Sequence, residues 1–363
     1  MNNKKNPITV FIFPSKNKNN KYINLLTDSI RNSGLNIRVP NLKKDNIFRI
    51  LYFICFNKIP AGKNIIHIQW STVLYGSRFA VKSVSMLFFN IMIILMAKKI
   101  LKIKIIWTVH NFFAHDYPHP ILDRAGRKLL RYISDTIIVQ QKSTLSNYNK
   151  KYPLKNVKYI PHGNYIDAYG PIKLRDQTFR RSFGFKDGDI VLLSFGVIVP
   201  YKLNESIIRF VTSFRKKFPR IKLLIVGKGK NEYIEYLQKI VADDDGIFIR
   251  NLFVPDHEVS KYLSIADYSI FYYDDSEMTS GGIILSLSYG IPVISRDIPG
   301  AEMIDDHSGL VFHNEEGLKN AINDIVEGRF EKKNSDYIID SVRDRESDWK
   351  SIAIELSEIY RQL

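Results

Sequence analysis

The chain has 363 residues, of which 45% are hydrophobic and 25% are charged. This length suits two domains of ordinary size, and the abundance of Ile, Leu, Phe and Tyr excludes an intrinsically disordered chain. The single cysteine, Cys55, excludes an internal disulfide, which fits a reducing compartment. The polar residues 1–6 and the short apolar run that ends by Phe13 do not match a cleaved signal, so we expect a cytoplasmic chain.

Charge is divided unevenly along the sequence. Residues 1–170 hold 27 Lys+Arg and 6 Asp+Glu, a balance of +21, whereas residues 171–363 hold 26 and 31, a balance of −5. The basic first part is expected to attract an anionic partner, and nucleic acid, a membrane surface and a phosphate-bearing substrate all qualify.

Short apolar runs rich in β-branched residues alternate with helix-like stretches, which is the pattern of parallel sheets with crossover helices. In the first part, strands are predicted at 8–13, 35–39, 64–68, 104–109, 136–139 and 157–160. In the second part, they are predicted at 190–195, 221–226, 247–250, 268–273, 292–295 and 310–313. Two such series predict two doubly wound domains, at 1–168 and 169–343, joined in the Gly-punctuated stretch 163–188. A last helix, 344–363, has one apolar face.

Residues 83–97 form a mostly apolar stretch of about 15 residues, whereas a bilayer span needs roughly 20. One interpretation is a buried core helix. The other is a helix that lies partly on a membrane, which is favoured by basic residues on both sides of the stretch. These are Arg78, Lys82, Lys98, Lys99, Lys102 and Lys104.

Three turns follow predicted strands of the second part. Gly196 ends the first strand there and Lys202 comes just before the next helix, so a ligand can approach the backbone and a lysine can reach its phosphate. The turn at 227–229 (GKG) is weaker evidence, because turn glycines are usually structural. The turn at 277–282 would expose backbone N–H groups at a helix N-terminus, unless it is only an N-cap with packing glycines. Together, the three strand ends predict a nucleotide-diphosphate site.

Polar residues also follow the strand at 104–109, where His110, His115, Asp116 and His119 are clustered. A histidine or carboxylate there could accept the proton of an acceptor hydroxyl if the reaction inverts the anomeric centre. A polar loop with satisfied histidines is the alternative, and a zinc site lacks supporting ligands. His162 ends another strand, where turn packing and cleft lining are both open interpretations.

Ordered motifs in both parts are similar to those of one enzyme family. They are WTVHN at 107–111, IPHG at 160–163, Gly196 with Tyr201-Lys202, LIVG at 224–227, Ala266-Asp267, SGG at 280–282, YGIPVI at 289–294 and the tail around Trp349. The set resembles the family 4 type of GT-B glycosyltransferases over nearly the whole chain. The resemblance implies an α/β fold of two doubly wound Rossmann-like domains, an interdomain cleft and a C-terminal helix that crosses back to the first domain.

The resemblance also implies roles for particular residues. Lys202, Gly281 and Gly282 would contact the donor diphosphate, and His110 would lie near the transferred sugar. We predict a UDP- or GDP-sugar donor and no metal cofactor, because the lysine and the helix end can neutralise the diphosphate. Catalytic candidates are His110, Asp116 and Lys202; donor-site candidates are Gly196, Lys202, Lys228, Glu277, Thr279, Ser280, Gly281 and Gly282; acceptor-side candidates are Gln69, Trp70, Asn111, His115 and His162.

The sequence departs from the family pattern around the glycine turn. The two glutamates usually found eight residues apart correspond to Met278 and Ser286, and Glu277 is one residue away from the first. Val197 stands where an arginine often occurs. The usual glycine-rich turn after the first strand is replaced by basic, polar residues 14–22, which we assign to the acceptor side. The contacts to the nucleotide therefore stay open.

The sequence features suggest three candidate functions. The first is a glycosyltransferase of bacterial surface polysaccharide synthesis that acts on a lipid-linked saccharide acceptor, as a peripheral enzyme on the inner face of the cell membrane. The second is a sugar-nucleotide epimerase of the GT-B fold, which would need paired catalytic carboxylates that the sequence does not place. The third is a nucleic-acid binding protein, for which no recognisable module is present.

Overall fold

A computed structural model of the chain describes residues 8–15, 20–40, 62–111, 118–151, 156–171, 176–274, 279–345 and 347–363. The chain folds as two compact units. The first comprises Met1–Gly163 with Glu346–Leu363, and the second comprises Asn164–Arg345. Each unit has one six-stranded sheet in which the paired strands are parallel. The prediction of two Rossmann-like α/β domains is therefore confirmed.

The sheet of the first unit has the strand order β2-β1-β3-β4-β5-β6. Its strands are β1 (Ile8–Phe13), β2 (Ile37–Arg38), β3 (Asn64–Ile68), β4 (Lys104–Val109), β5 (Thr136–Val139) and β6 (Asn156–Tyr159), and its helices include α1 (Lys21–Asn32), α2 (Ala80–Leu101), α3 (Pro120–Ile133) and α4 (Lys142–Lys151). The chain order reverses between β1 and β3. Parallel sheets bind ligands at the carboxyl ends of strands beside such a reversal.

The sheet of the second unit has the order β12-β11-β10-β7-β8-β9. Its strands are β7 (Ile190–Phe195), β8 (Ile221–Gly227), β9 (Ile247–Asn251), β10 (Tyr268–Phe271), β11 (Val293–Arg296) and β12 (Gly309–Phe312). Its helices are α5 (Gln177–Ser182), α6 (Asn204–Arg215), α7 (Asn231–Val241), α8 (Asp256–Leu263), α9 (Gly281–Ser288), α10 (Glu315–Val326) and α11 (Ser335–Arg343). Here the chain order reverses between β7 and β10, so the expected ligand crevice lies at their carboxyl ends.

The C-terminal helix α12 (Trp349–Gln362) belongs to the core of the first unit. Its Tyr360 is fully buried, and the Tyr360 hydroxyl lies 2.9 Å from His67 Nδ1 on β3. His67 Nε2 in turn lies 2.8 Å from Thr108 Oγ1 on β4. The tail was predicted as one helix over 344–363, but α11 ends at Arg343 and Asp348 caps a new helix by accepting from two backbone N–H groups.

Helix α2 is longer than the predicted stretch 83–97, and it is not the buried core helix of one interpretation. It has 22 residues, and by length and composition it could cross a membrane. One stripe of residues at three- and four-residue steps faces the unit, and these are Ser83, Leu87, Ile91, Ile94 and Ala97. Much of the rest of the helix is apolar and exposed. The interpretation as a buried core helix is therefore wrong, because only one face of α2 has a protein partner in the described residues.

Replacement of His67 by Gln is expected to weaken the pH dependence of stability. Burial lowers the pKa of His67 to about 3 in the folded protein, whereas an unfolded histidine titrates near pH ~6.5. As the pH falls below ~6.5, the unfolded chain binds a proton that the folded chain does not, so this group lowers the free energy of unfolding by up to about 1.4 kcal/mol per pH unit. Urea unfolding of both proteins between neutral and mildly acidic pH measures the two slopes.

The matched control is His257→Gln, because the His257 side chain is 79% exposed and its Nε2 lies 3.8 Å from the neighbouring Glu258 on the same helix. This variant should keep the wild-type slope. Identical slopes for the wild type and His67→Gln would contradict the prediction.

Candidate functional site

The strand reversal in the second unit brings Gly196 and Lys202 together. Gly196 ends β7 with φ +117°, a conformation that favours glycine. A Cβ atom at this position would lie 2.9 Å from Lys202 Nζ. Glycine therefore leaves the space over the end of β7 that the lysine ammonium group occupies.

The loop that carries Lys202 is fixed against the end of β10. Residues Pro200–Lys202 form a short 3₁₀ turn before α6, and the Tyr201 carbonyl accepts a hydrogen bond from the Asp274 backbone N–H at 2.9 Å. Lys202 Nζ lies 6.0 Å from the centre of the Tyr273 ring. The lysine thus stands beside the loop that runs from β10 to α9.

That loop ends in an N-cap at Ser280. The Ser280 hydroxyl lies 2.7 Å from the Tyr273 hydroxyl and accepts from the Ile283 backbone N–H at 3.2 Å. The first N–H groups of any α-helix lack partners within the helix and carry partial positive charge. Tyr273 therefore contacts Ser280 at the start of α9 and has Lys202 beside its ring, so a lysine and a helix N-terminus both lie next to this tyrosine.

The twin glycines at the start of α9 have different surroundings. A Cβ atom at Gly282 would lie 2.7 Å from Cε1 of Phe271, whereas a Cβ atom at Gly281 would meet only the Tyr165 hydroxyl, at 3.7 Å. Gly282 is thus needed for packing of α9 against β10. Gly281 leaves open space at the helix N-terminus, so the interpretation as a packing glycine applies to Gly282, and an anion at Gly281 stays a prediction.

The other donor-site candidates of the second unit have different settings. Lys228 is exposed after β8, on the far side of β7 from β10. A Cβ atom at Gly227 would lie 1.7 Å from the Gly196 carbonyl oxygen, so this turn glycine is structural. Thr279 is buried. The Ser286 hydroxyl bonds to Ser269 and to a backbone carbonyl inside the unit, so its side chain faces the sheet.

Sequence reasoning missed two residues that support this site, Tyr273 and Arg296. The Tyr273 ring lies between Lys202 and Ser280, and Arg296 Nη1 donates to the Tyr273 carbonyl at 2.9 Å. Tyr273 could have been found as an aromatic residue that follows a strand beside the reversal. No sequence signal pointed to Arg296, because its partner is a backbone atom far along the chain.

In the first unit, five aromatic rings form a cluster around Tyr22. Its ring centre lies 5.2 Å from that of His110, 4.6 Å from that of His162 and 5.6 Å from that of Trp349. Trp70 stacks on His110 with ring centres 4.6 Å apart. Three acceptor-side or catalytic candidates, His110, His162 and Trp70, are therefore brought together at the carboxyl ends of the strands.

Both histidines of this cluster are neutral. Burial lowers the pKa of His110 to about 3 and that of His162 to about 4. His110 Nε2 lies 3.0 Å from the side-chain oxygen of Gln69, so Nε2 carries the proton and Nδ1 is an acceptor. The other end of the Gln69 amide, Nε2, is buried and has no hydrogen-bond partner among the described residues. The cluster can donate and accept hydrogen bonds, but His110 is a weak base at neutral pH.

A hydrogen-bond network anchors the backbone that follows His110. Arg127 on α3 donates from Nη1 to the Asn111 carbonyl at 2.7 Å and pairs through Nε with Asp123. Asp123 is buried and accepts from the Tyr75 hydroxyl at 2.5 Å. Motif patterns did not predict this network, because only Asn111 lies in a motif and it takes part through its backbone carbonyl.

Several predicted positions lie outside the described residues. These are His115, Asp116, Glu277 and Met278, together with Cys55 and residues 16–19 of the basic stretch. His119, which was clustered with His110 in the sequence, bonds through Nε2 to the Arg78 carbonyl at 3.2 Å. Within the ranges that the structure covers, no three His, Cys, Asp or Glu side chains are grouped as metal ligands.

Fold and sequence comparisons define the class of this protein. Residues 175–344 match the family model described as glycosyl transferases group 1. The second unit is thus a glycosyltransferase domain of group 1, and the two units together have the GT-B fold. These findings confirm the resemblance stated from the motifs.

Particular relatives are similar over different lengths. A GDP-mannose-dependent alpha-(1-6)-phosphatidylinositol monomannoside mannosyltransferase of Mycolicibacterium smegmatis is 26% identical over 150 residues, which is 39% of this chain and 38% of that relative. The structure of sucrose-phosphate synthase from Thermosynechococcus elongatus is similar over 99% of each chain, with a TM-score of 0.71 and 14% identity. Anabaena HepE, solved in complex with UDP, matches over 98% of this chain and 100% of that one, with a TM-score of 0.69 and 14% identity.

Alanine substitutions at Gly281 and Gly282 should show which glycine is needed for packing and which has open space beside it. Gly282→Ala is expected to lower the free energy of unfolding by about 1–3 kcal/mol, because the added methyl group overlaps Phe271. Gly281→Ala should leave stability within about 1 kcal/mol of the wild type, because its methyl group has room and alanine favours helix. Urea unfolding measures both values. Equal losses in the two variants would contradict the packing difference.

Proposed function

We propose that this chain transfers a sugar from a nucleotide-diphosphate-sugar, with UDP or GDP as the nucleotide, to a saccharide acceptor. The observation that supports this most is the juxtaposition of Lys202 with the N-terminus of α9 at the strand reversal of a group 1 glycosyltransferase domain. UDP bound to HepE and the GDP-mannose dependence of the mycobacterial relative agree with a donor of this class.

The site would act mainly by electrostatic stabilisation of the leaving diphosphate. Transfer breaks the bond between the anomeric carbon of the sugar and the diphosphate oxygen and joins that carbon to an acceptor hydroxyl oxygen, whose proton is released. Negative charge develops on the leaving diphosphate. The Lys202 ammonium group and the backbone N–H groups at Gly281 would stabilise that charge without a metal ion. Since both are held in place before the donor binds, little reorganisation is needed when the bond breaks.

The aromatic cluster of the first unit would bind sugar hydroxyl groups. His110 and Gln69 form a buried hydrogen-bonded pair with one amide N–H group left without a partner in the described residues. A sugar hydroxyl is the kind of group that satisfies such a donor. We place His110 near the transferred sugar as a neutral hydrogen-bonding residue.

We further propose a lipid-linked acceptor, a role in bacterial surface polysaccharide synthesis, and a cytoplasmic enzyme peripheral on the inner face of the cell membrane. The balance of +21 in residues 1–170 supports this location, because anionic lipid attracts basic surfaces. The exposed apolar face of α2 supports it as well.

Lys202→Ala is expected to weaken nucleotide-diphosphate binding by about tenfold or more, because a charge-assisted hydrogen bond is lost. Thermal shifts with UDP, GDP, CDP and ADP at several concentrations give the affinities, since stabilisation grows with the ratio of ligand concentration to Kd. Lys186→Ala is the control, because Lys186 is an exposed lysine that precedes the amino end of β7, whereas Lys202 follows its carboxyl end. An unchanged response of Lys202→Ala to the preferred diphosphate would put the phosphate site elsewhere.

His110→Asn is expected to lower kcat/KM for sugar transfer by about 10- to 100-fold, through loss of a buried hydrogen bond to the sugar. Because the pKa of His110 is lowered to about 3, the wild-type rate should show no titration of this group around neutral pH. Rates measured across neutral pH with the donor found by thermal shift check both points. A rate that falls with an apparent pKa near ~6.5, and loses this dependence in His110→Asn, would instead indicate a proton acceptor.

A further inference from the structure

Helix α2 presents an apolar face to solvent along most of its length. Val81, Phe88 and Met96 are 81%, 60% and 54% exposed, and Val84, Met92 and Leu95 are exposed beside them. At 100° per residue these side chains lie about 60° to 180° around the helix from Leu87, so they extend from the flank of the buried stripe of Leu87, Ile91 and Ile94 to the far side of the helix. An apolar surface of this extent on a globular unit indicates an interaction site.

The opposite face of α2 is fixed to the first unit. Lys98 Nζ pairs with Asp135 at 2.7 Å and also donates to the Ile133 carbonyl, while the Asn90 amide donates to the Leu74 carbonyl at 2.8 Å. Leu87, Ile91 and Ile94 are buried. To cross a bilayer, the helix would have to break these contacts and expose that core. The same contacts are kept if the helix lies along a membrane surface.

Helix α3 packs beside α2 and also exposes apolar side chains. Ile121 and Tyr132, near its two ends, are 84% and 77% exposed, and Leu129 is exposed between them. Tyrosine and leucine side chains are typical of helices that lie at the boundary of headgroups and acyl chains.

Basic residues predominate around this surface, and the Asp135 carboxylate next to α2 is paired with Lys98 of that helix. Residues 62–111 contain seven Lys or Arg and no Asp or Glu, and residues 118–134 contain four Lys or Arg and only Asp123, which is buried. Exposed basic residues include Arg78, Lys82, Lys99, Lys102 and Lys128. A second copy of this chain would bring like charges together, whereas anionic lipid headgroups complement them.

We infer that α2 and α3 form a membrane-docking surface that inserts sideways into the interface of an anionic bilayer, with α2 in the membrane plane and not across it. This inference deepens the membrane location given under the proposed function. It depends on neither the donor nor the transfer reaction. The basic residues would contact lipid phosphates while Phe88, Met92 and Ile121 enter the acyl boundary.

Vesicle flotation of the full-length protein tests the inference. The probes are vesicles of phosphatidylcholine alone and of an equal mixture with phosphatidylglycerol. Wild type should float with the anionic vesicles at low salt. The double variant Phe88→Ser/Met92→Ser should bind about tenfold or more weakly through loss of apolar burial, and Lys82→Glu/Lys99→Glu should bind about tenfold or more weakly through loss of charge attraction.

Matched controls lie in the second unit. Phe253→Ser removes an equally exposed aromatic residue, and Lys239→Glu reverses an exposed lysine. Both should float like the wild type. The nucleotide thermal shift, measured on every variant, shows that each is folded and reports separately on the proposed donor site.

Several results would overturn the inference. Wild type that floats with neither vesicle, or α2 variants that float as well as their controls, would exclude docking through this surface. Membrane-bound protein that alkaline carbonate fails to release would indicate a spanning helix. A dimer that dissociates in Phe88→Ser/Met92→Ser without lipid would show that a second copy covers the face. The inference would be supported if alkaline carbonate releases the bound protein and the α2 variants no longer float with the anionic vesicles.

Discussion

The structure of the proposed donor site depends on how closely Lys202 can lie against the end of β7. Lys202 Nζ occupies the space that a side chain at Gly196 would fill, and Gly227 lets the end of β8 approach the same backbone. These two glycines allow a positive charge to lie directly over the strand ends. Tyr273 has that lysine beside its ring and contacts Ser280 at the start of α9. In the proposed function both groups would face a diphosphate, whose charge is spread over several oxygens.

The candidate acceptor residues of the first unit differ from the candidate donor residues, because their polar groups are buried among aromatic rings. Burial keeps His67, His110 and His162 neutral, so each is held by hydrogen bonds and ring contacts and not by ion pairs. This is a suitable setting for a neutral sugar. The positive charge of the unit lies instead on its surface, beside the apolar faces of α2 and α3, where it would meet lipid phosphates.

Sequence patterns located the strands well because burial on both faces of a parallel sheet leaves apolar, β-branched runs. All twelve predicted strands are present, with ends shifted by a few residues. Sequence patterns left two settings open for α2, because a helix that is apolar all round looks alike whether it is enclosed or lies on a surface. They also did not separate Gly281 from Gly282, and only the position of Phe271 distinguishes these two glycines.

The sequence by itself determined the two-domain α/β architecture, the glycosyltransferase motifs and the uneven charge, because periodicity, motif order and composition are local properties of a chain. The tertiary structure alone decided which residues meet. It placed Tyr273 between Lys202 and Ser280, joined Arg127 to the backbone after His110, and showed which face of α2 is covered. These facts depend on contacts between residues far apart in sequence, and such contacts are fixed only when the sheets and helices pack.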